Sequence, residues 1–121
     1  MKLLSFSILL LFTCLLSAQE KKCADFKTGK FLYKDSKYKD WVVTRNDSIQ
    51  TETNSSLNWI AEGTIKWTDD CNYELVYTKA FSKEFIGKTV TAKIIKINGN
   101  EILCHSILEG IVLDLEMIKI E

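Results

Sequence analysis

The sequence predicts an all-β domain, an antiparallel meander of seven or eight short strands. Short runs of β-branched and aromatic residues alternate with turn signals, a pattern typical of sandwiches and barrels. No stretch has a helical period of useful length, and the chain has no proline and only five glycines. Because closure or sandwiching is needed to hide so many strand edges, we expect an up-and-down barrel or a flattened, lipocalin-like version of one. A Greek-key sandwich is the main alternative.

The N-terminus has the features of a secretory signal peptide. Lys2 precedes an apolar run over Leu3–Leu16, and Ala18 places a small residue just before a polar stretch. We therefore predict that residues 1–18 are a cleaved signal peptide and that residues 19–121 form a single β domain. An uncleaved membrane anchor is the alternative, although the run is short for a span of about 20 residues.

Turn signals divide the domain into strands. The predicted strands are Gly29–Tyr33, Trp41–Arg45, Ser48–Thr53, the two arms of a hairpin within Asn58–Thr78, Thr89–Ile97, Glu101–Leu108 and Ile111–Ile120. The third is mostly polar, so we expect at least one of its faces to meet water. Phe81–Lys88 is predicted to be a connection with one helical turn. Asn98-Gly99 predicts a type I′ turn, because both residues tolerate positive φ.

The last strand changes its apolar phase. Ile111, Leu113, Leu115 and Met117 share one parity, whereas Ile118 and Ile120 have the other. A β-bulge near Met117-Ile118 would produce such a switch, and bulges are common at barrel rims and sheet edges.

The central hairpin has a register that its side chains favour. The favoured pairs are Trp67 with Tyr73, Ile65 with Leu75, Gly63 with Tyr77, and Lys66 with Glu74 on the opposite face. A slip of one residue would set Trp67 opposite Asn72 and Ile65 opposite Glu74, so that apolar side chains would face polar ones. This register leaves Thr68–Asn72 as the loop, so Cys71 lies at the tip of the hairpin.

Three cysteines remain after signal cleavage: Cys23, Cys71 and Cys104. They allow one disulfide and one free thiol, with three pairings open. A meander places all three near one end of the sheet. We favour Cys23–Cys71, which ties the N-terminus to the central hairpin and leaves Cys104 free.

The residues available for catalysis are few. His105 is the only histidine, and its neighbour Cys104 should point to the opposite face of a strand. We therefore predict no catalytic residues and no enzyme. A zinc site would need His105 and the three cysteines to converge, but no metal-ligand spacing supports this, so we predict no metal and no cofactor. Asp69-Asp70 is interpreted as a polar turn rather than a calcium loop.

Aromatic side chains are the main candidates for ligand contact. Trp59, Trp67, Tyr73 and Tyr77 share the apolar face of the central hairpin. They could line a cavity for an apolar ligand or fill a small core with their own bulk. The formal net charge is zero at pH 7, which gives no electrostatic case for binding nucleic acid.

Three segments carry a resemblance to a known family. Cys23–Phe31, Thr44–Gln50 and Trp67–Leu75 are similar to segments of short secreted bacterial proteins of unknown function. Some members carry the name DNA topoisomerase IV, which a small, exported chain that is not basic and has no ATPase or cleavage domain does not support. The resemblance implies a periplasmic or extracellular location in a Gram-negative bacterium, and no activity.

These observations favour an exported, non-enzymatic β-barrel-like module that binds a small apolar ligand. The alternative is a structural or protein-interaction module of the cell envelope. The expected partner is accordingly an apolar small molecule or an envelope protein. We expect no nucleic acid partner and no membrane span after signal cleavage.

Overall fold

The computed structural model describes residues 20–121, which form eight strands and three short 3-10 helices. The strands are β1 Gly29–Tyr33, β2 Trp41–Arg45, β3 Ile49–Asn54, β4 Trp59–Trp67, β5 Asn72–Lys79, β6 Thr89–Asn98, β7 Glu101–Leu108 and β8 Ile111–Lys119. The 3-10 helices are Cys23–Phe26, Ser36–Tyr38 and Lys83–Phe85. The predicted signal peptide, residues 1–18, lies outside the described residues.

The strands form a closed barrel in which each strand pairs antiparallel with the next and β8 pairs with β1. This confirms the predicted meander barrel rather than the Greek-key sandwich. Because strand direction alternates in a meander, loops 34–40, 55–58, 80–88 and 109–110 lie at one end. The shorter turns 46–48, 68–71 and 99–100 lie at the other. We call these the open end and the closed end.

The central hairpin, β4 and β5, adopts the predicted register. Trp67 lies opposite Tyr73, Ile65 opposite Leu75, Gly63 opposite Tyr77 and Lys66 opposite Glu74. The register shifts between Glu62 and Gly63. A Cβ atom at Gly63 would lie 2.8 Å from both the Leu75 side chain and the Val76 carbonyl oxygen. The close approach of the two strands therefore requires glycine at this position.

The closed end is filled by side chains. Phe26, Phe31 and Val43 are fully buried there. They pack with Cys23, Ile94, Ile102, Cys104 and Met117. Cys23 begins the first 3-10 helix and is bonded to Cys71, in the turn between β4 and β5. The predicted disulfide is thus confirmed, and Cys104 is a buried free thiol.

The predicted bulge near Met117-Ile118 is wrong, because β8 pairs with both of its neighbours in one continuous register. Met117 faces inward and is 3% exposed. Ile118 faces outward, opposite Leu32 of β1. The change of apolar phase therefore comes from an apolar cross-strand pair on the outer surface. Within residues 20–121, the register shifts instead occur between β4 and β5 and between β6 and β7.

The hairpin predicted at Asn98-Gly99 forms, but its turn is shifted by one residue. Asn98 pairs with Glu101, so Gly99 and Asn100 make the turn, and Gly99 has a φ of 60°. Asn98 does not have positive φ, so the predicted type I′ turn is wrong here. The register shift in β6, just before this turn, adds one residue to β6 and so sets the pairing at the turn.

Strand β3 has polar side chains on its inner face. Gln50, Glu52 and Asn54 alternate inward, and Gln50 and Asn54 are each only 5% exposed. Thr51 and Thr53 occupy the outer face and are half-buried. Polar groups thus enter the barrel interior, which was not predicted, and they define the site described next.

Candidate ligand-binding site

A cavity of about 370 Å³ lies inside the barrel, between the filled core and the open end. Sites for small molecules typically occupy about 300–1,000 Å³. Tyr38, Phe81 and Phe85, from the open-end loops, lie at its mouth. Its walls are mostly apolar and include Tyr33, Trp41, Ala61, Tyr73, Leu75, Tyr77, Val90, Leu108, Leu113 and Leu115. The barrel therefore has a packed half and a hollow half.

Glu52 brings a carboxyl group into this cavity. Its Oε1 accepts a hydrogen bond from Gln50 Nε2 at 2.9 Å. The Tyr77 hydroxyl donates to the same carboxyl, at 3.1 Å from Oε1 and 3.2 Å from Oε2. None of the ion pairs between described residues includes Glu52. The carboxyl is thus held by neutral donors and has no cation in direct contact.

Arg45 lies beneath this carboxyl and is 3% exposed. Its Nε donates to Gln50 Oε1 at 2.8 Å, its Nη1 to the Phe26 carbonyl oxygen at 3.2 Å, and its Nη2 to the Tyr73 hydroxyl at 2.8 Å. The guanidinium carbon also lies 4.8 Å from the ring centroids of both Phe31 and Tyr73. Gln50 therefore links the buried cation to the Glu52 carboxyl through its two amide atoms.

Burial controls the protonation of the cavity groups. It raises the pKa of Glu52, and the hydrogen bonds from Gln50 and Tyr77, followed by the charge of Arg45, offset only part of this effect. Burial likewise raises the pKa of Tyr73 to about 12 and that of Tyr33 well above its ordinary value. Tyr33 and Tyr73 therefore keep neutral hydroxyls near pH 7, able both to donate and to accept.

The structure separates the four aromatic residues predicted to bind ligand. Tyr73 and Tyr77 line the cavity. Trp59 stands at the rim, 40% exposed, with its ring stacked 4.8 Å from that of Phe81. Trp67 lies at the closed end, where its ring centroid is 4.6 Å from that of Tyr73. The two interpretations of the aromatic face, cavity lining and core filling, thus each describe one end of the barrel.

Sequence reasoning missed Glu52, Gln50 and Arg45 as cavity residues. The available signal was parity, because Gln50, Glu52 and Asn54 alternate along β3 as Trp41, Val43 and Arg45 do along β2. Parity groups the residues that share a face, but only barrel closure decides which face is inside. The polar set on β3 looked like a solvent-facing surface for that reason.

Cys104 and His105, the two adjacent candidates on β7, point to opposite faces of the strand, as predicted. Cys104 faces inward at 1% exposure, and burial raises the pKa of its thiol. His105 faces outward, and its Nδ1 lies 2.6 Å from Asp114 Oδ1 on β8.

Asp69 accepts hydrogen bonds from the backbone N–H groups of Cys71 and Asn72, each at 2.8 Å, so it shapes the hairpin turn. These backbone hydrogen bonds also hold the pKa of Asp69 below its ordinary value.

Within residues 20–121, no group of three or more His, Cys, Asp or Glu side chains is placed to hold a metal ion. Nor does this part of the chain contain a helix long and apolar enough to cross a membrane. In comparisons with known proteins, no family model, curated protein or solved structure matches the chain.

Proposed function

We propose that this protein is an exported, non-enzymatic, lipocalin-like module that binds a small, largely apolar molecule inside its barrel. The observation that carries the proposal is the cavity of about 370 Å³, with mostly apolar walls and an aromatic mouth. At about 30 Å³ per water molecule, this volume corresponds to roughly a dozen waters. The ligand should therefore have on the order of a dozen non-hydrogen atoms within the barrel.

Export is supported by the predicted signal peptide and by the disulfide. A bond such as Cys23–Cys71 persists in oxidising compartments and is rare in the cytosol. The resemblance to short secreted bacterial proteins points the same way. We therefore place the protein in the periplasm or outside the cell of a Gram-negative bacterium.

A binding role rather than catalysis is supported by the chemistry of the cavity. Cys104 lines it, but a thiol with a raised pKa is a poor nucleophile near neutral pH. His105, the only histidine, points away from the cavity on the outer face of β7. No base therefore faces the thiol from its own strand.

The proposal is tested with a neutral apolar probe, N-phenyl-1-naphthylamine, whose fluorescence reports an apolar environment. Leu113 lines the cavity near the mouth, whereas its neighbour Val112 faces outward. Leu113→Trp should obstruct the cavity and weaken probe binding by about tenfold, the loss of roughly 1.4 kcal/mol. Val112→Trp is the matched control and should bind as the wild type does. Absence of binding to the wild type, or equal binding by both variants, would overturn the proposal.

A second candidate function is a protein-interaction module of the cell envelope. It is favoured by exposed apolar residues at the open end, each at least 40% exposed: Leu57, Trp59, Ile60, Phe81, Ile86, Ile111, Val112 and Leu113. Large exposed apolar patches mark interaction sites. A photo-crosslinking residue at position 112 should give discrete protein adducts in the host envelope, with position 74 on the outer wall as control. Adducts at neither position, or equally at both, would count against this role.

A further inference from the structure

The cavity has one acidic side chain, Glu52, and one basic side chain, Arg45, among the described residues that line it. The two are not equivalent as contacts for a ligand. Arg45 is 3% exposed and makes three hydrogen bonds to groups of the protein itself. Glu52 is half-buried, and its side chain lines the cavity.

The Glu52 carboxyl also keeps unused acceptor capacity. A carboxylate has about four lone-pair sites on its two oxygens. Gln50 and Tyr77 are its only hydrogen-bond donors among the described residues, and Oε2 is approached by the Tyr77 hydroxyl alone. A donor that enters from the cavity can therefore bind Oε2 without displacing either neighbour.

We propose that Glu52 receives the polar end of the ligand and that the ligand is a small amphipathic amine, with its ammonium group on the Glu52 carboxylate and its apolar part toward the aromatic mouth. This inference rests on the proposed function, since it assigns a chemical class to the occupant of the same cavity.

The surroundings of Glu52 suit a cation better than an anion. An ammonium group has three donors and no acceptor. Around the cavity, Tyr33, Tyr77 and Ser106 present hydroxyl oxygens that can accept. The Trp41 ring also lines the cavity, and the negative π face of an aromatic ring attracts cations. A carboxylate would instead meet the charge of Glu52 before it reached Arg45.

Charge balance favours the same ligand class. Burial raises the pKa of Glu52, an effect that its hydrogen bonds and the charge of Arg45 offset only in part. Among the described residues, no cation contacts the carboxyl directly. An ammonium group placed beside it stabilises the ionised form. A protonated Glu52 would release its proton as the ligand binds, so amine binding is coupled to proton release at acidic pH.

The test compares three probes of one chain length: decylamine and decanoate, each below its micelle concentration, and 1-decanol, below its solubility limit. Binding is measured by isothermal titration calorimetry at neutral pH. The variant is Glu52→Gln, which keeps the shape and an acceptor oxygen but removes the charge. Glu74→Gln is the matched control, because Glu74 is an exposed carboxylate on the outer wall of β5.

We expect the wild type to bind decylamine at least about tenfold more tightly than 1-decanol, because a hydrogen bond between charged groups contributes more to affinity than one to a neutral hydroxyl. In Glu52→Gln this preference should fall to about threefold or less, while Glu74→Gln keeps it. Decanoate should bind weakest to the wild type. Equal binding of the three probes, or tightest binding of decanoate, would overturn the amine assignment and leave the proposed function standing. Binding of none of them would count against the proposed function itself.

Discussion

At the level of single residues, Arg45 connects the packed half of the barrel to the hollow half. Its guanidinium joins the first 3-10 helix, β3 and β5 through hydrogen bonds to Phe26, Gln50 and Tyr73. A planar guanidinium presents five donors in a fixed fork, which suits three partners in different directions. The nearby rings of Phe31 and Tyr73 replace part of the hydration that burial removes.

Arg45→Lys should therefore destabilise the protein although it conserves the charge. One ammonium on a flexible stem cannot reach three partners at once, and the partners left unpaired each cost about 1–3 kcal/mol. We expect the free energy of unfolding to fall by about 2–3 kcal/mol, measured by urea denaturation. Thr44→Ser, on the outer face of the same strand, should change it by less than about 0.5 kcal/mol. Wild-type stability in Arg45→Lys would contradict this role.

The same residues show what sequence can predict at this scale. The pairing of Trp67 with Tyr73 is predictable because the same register also pairs Ile65 with Leu75 and Lys66 with Glu74, and the structure has it. The position of Glu52 in the cavity was not predicted, because the sequence of a polar strand does not distinguish an inward-facing glutamate from an exposed one. Its position depends on barrel closure, which is a property of all eight strands together.

At the level of elements, the first 3-10 helix is held to the closed end of the barrel by both packing and a covalent bond. Phe26 is fully buried and its carbonyl oxygen accepts from Arg45, while Cys23 is bonded to Cys71. The sequence predicts this anchor, because the alternating strand directions of a meander decide which turns lie at the same end of the barrel. The bulge predicted in β8 is absent, because the apolar residue Ile118 faces outward and pairs with Leu32 of β1.

Removal of the disulfide tests the anchor. The bond joins residues 48 apart in sequence, so the double variant Cys23→Ser, Cys71→Ser should lose about 2–5 kcal/mol of unfolding free energy. Reductant should lower the stability of the wild type toward that of the double variant. The same reductant should leave the double variant unchanged, because Cys104 is a free thiol. No effect of reductant on the wild type would show that the bond does not stabilise the fold.

At the level of the whole molecule, the hollow half is built at some cost in stability. A filled interior would gain apolar contacts, whereas this barrel keeps a cavity of about 370 Å³ and a carboxyl group within it. Buried polar groups that lower stability are commonly retained where they serve binding. The strand pattern and the turn residues predicted the barrel. They did not predict whether its interior is filled, because this depends on the summed volume of the inward-facing side chains of all strands.

The cost of the Glu52 carboxyl should appear as a pH-dependent loss of stability. Burial raises its pKa above the unfolded value of about 4.3, so the folded state favours the protonated form. Its contribution to stability is fully present below the unfolded pKa and is lost as pH rises through the folded pKa. The groups that face it are Arg45 on β2, Gln50 on β3, Tyr33 on β1, and Tyr73 and Tyr77 on β5.

Glu52→Gln should therefore gain stability relative to the wild type as pH rises from 4 to 8, without added ligand. The raised pKa values of Tyr33, Tyr73 and Tyr77 keep these hydroxyls neutral in this range, so Glu52 accounts for the difference. Thermal unfolding at each pH measures it, at roughly 4–8 °C of midpoint per kcal/mol for a domain of this size. Glu74→Gln should run parallel to the wild type, since its carboxylate is exposed. A constant gap between Glu52→Gln and the wild type across the range would mean that Glu52 does not titrate differently in the folded protein. A gap that widens and then closes when decylamine is added would show that the carboxyl is destabilising only while the cavity lacks a cation.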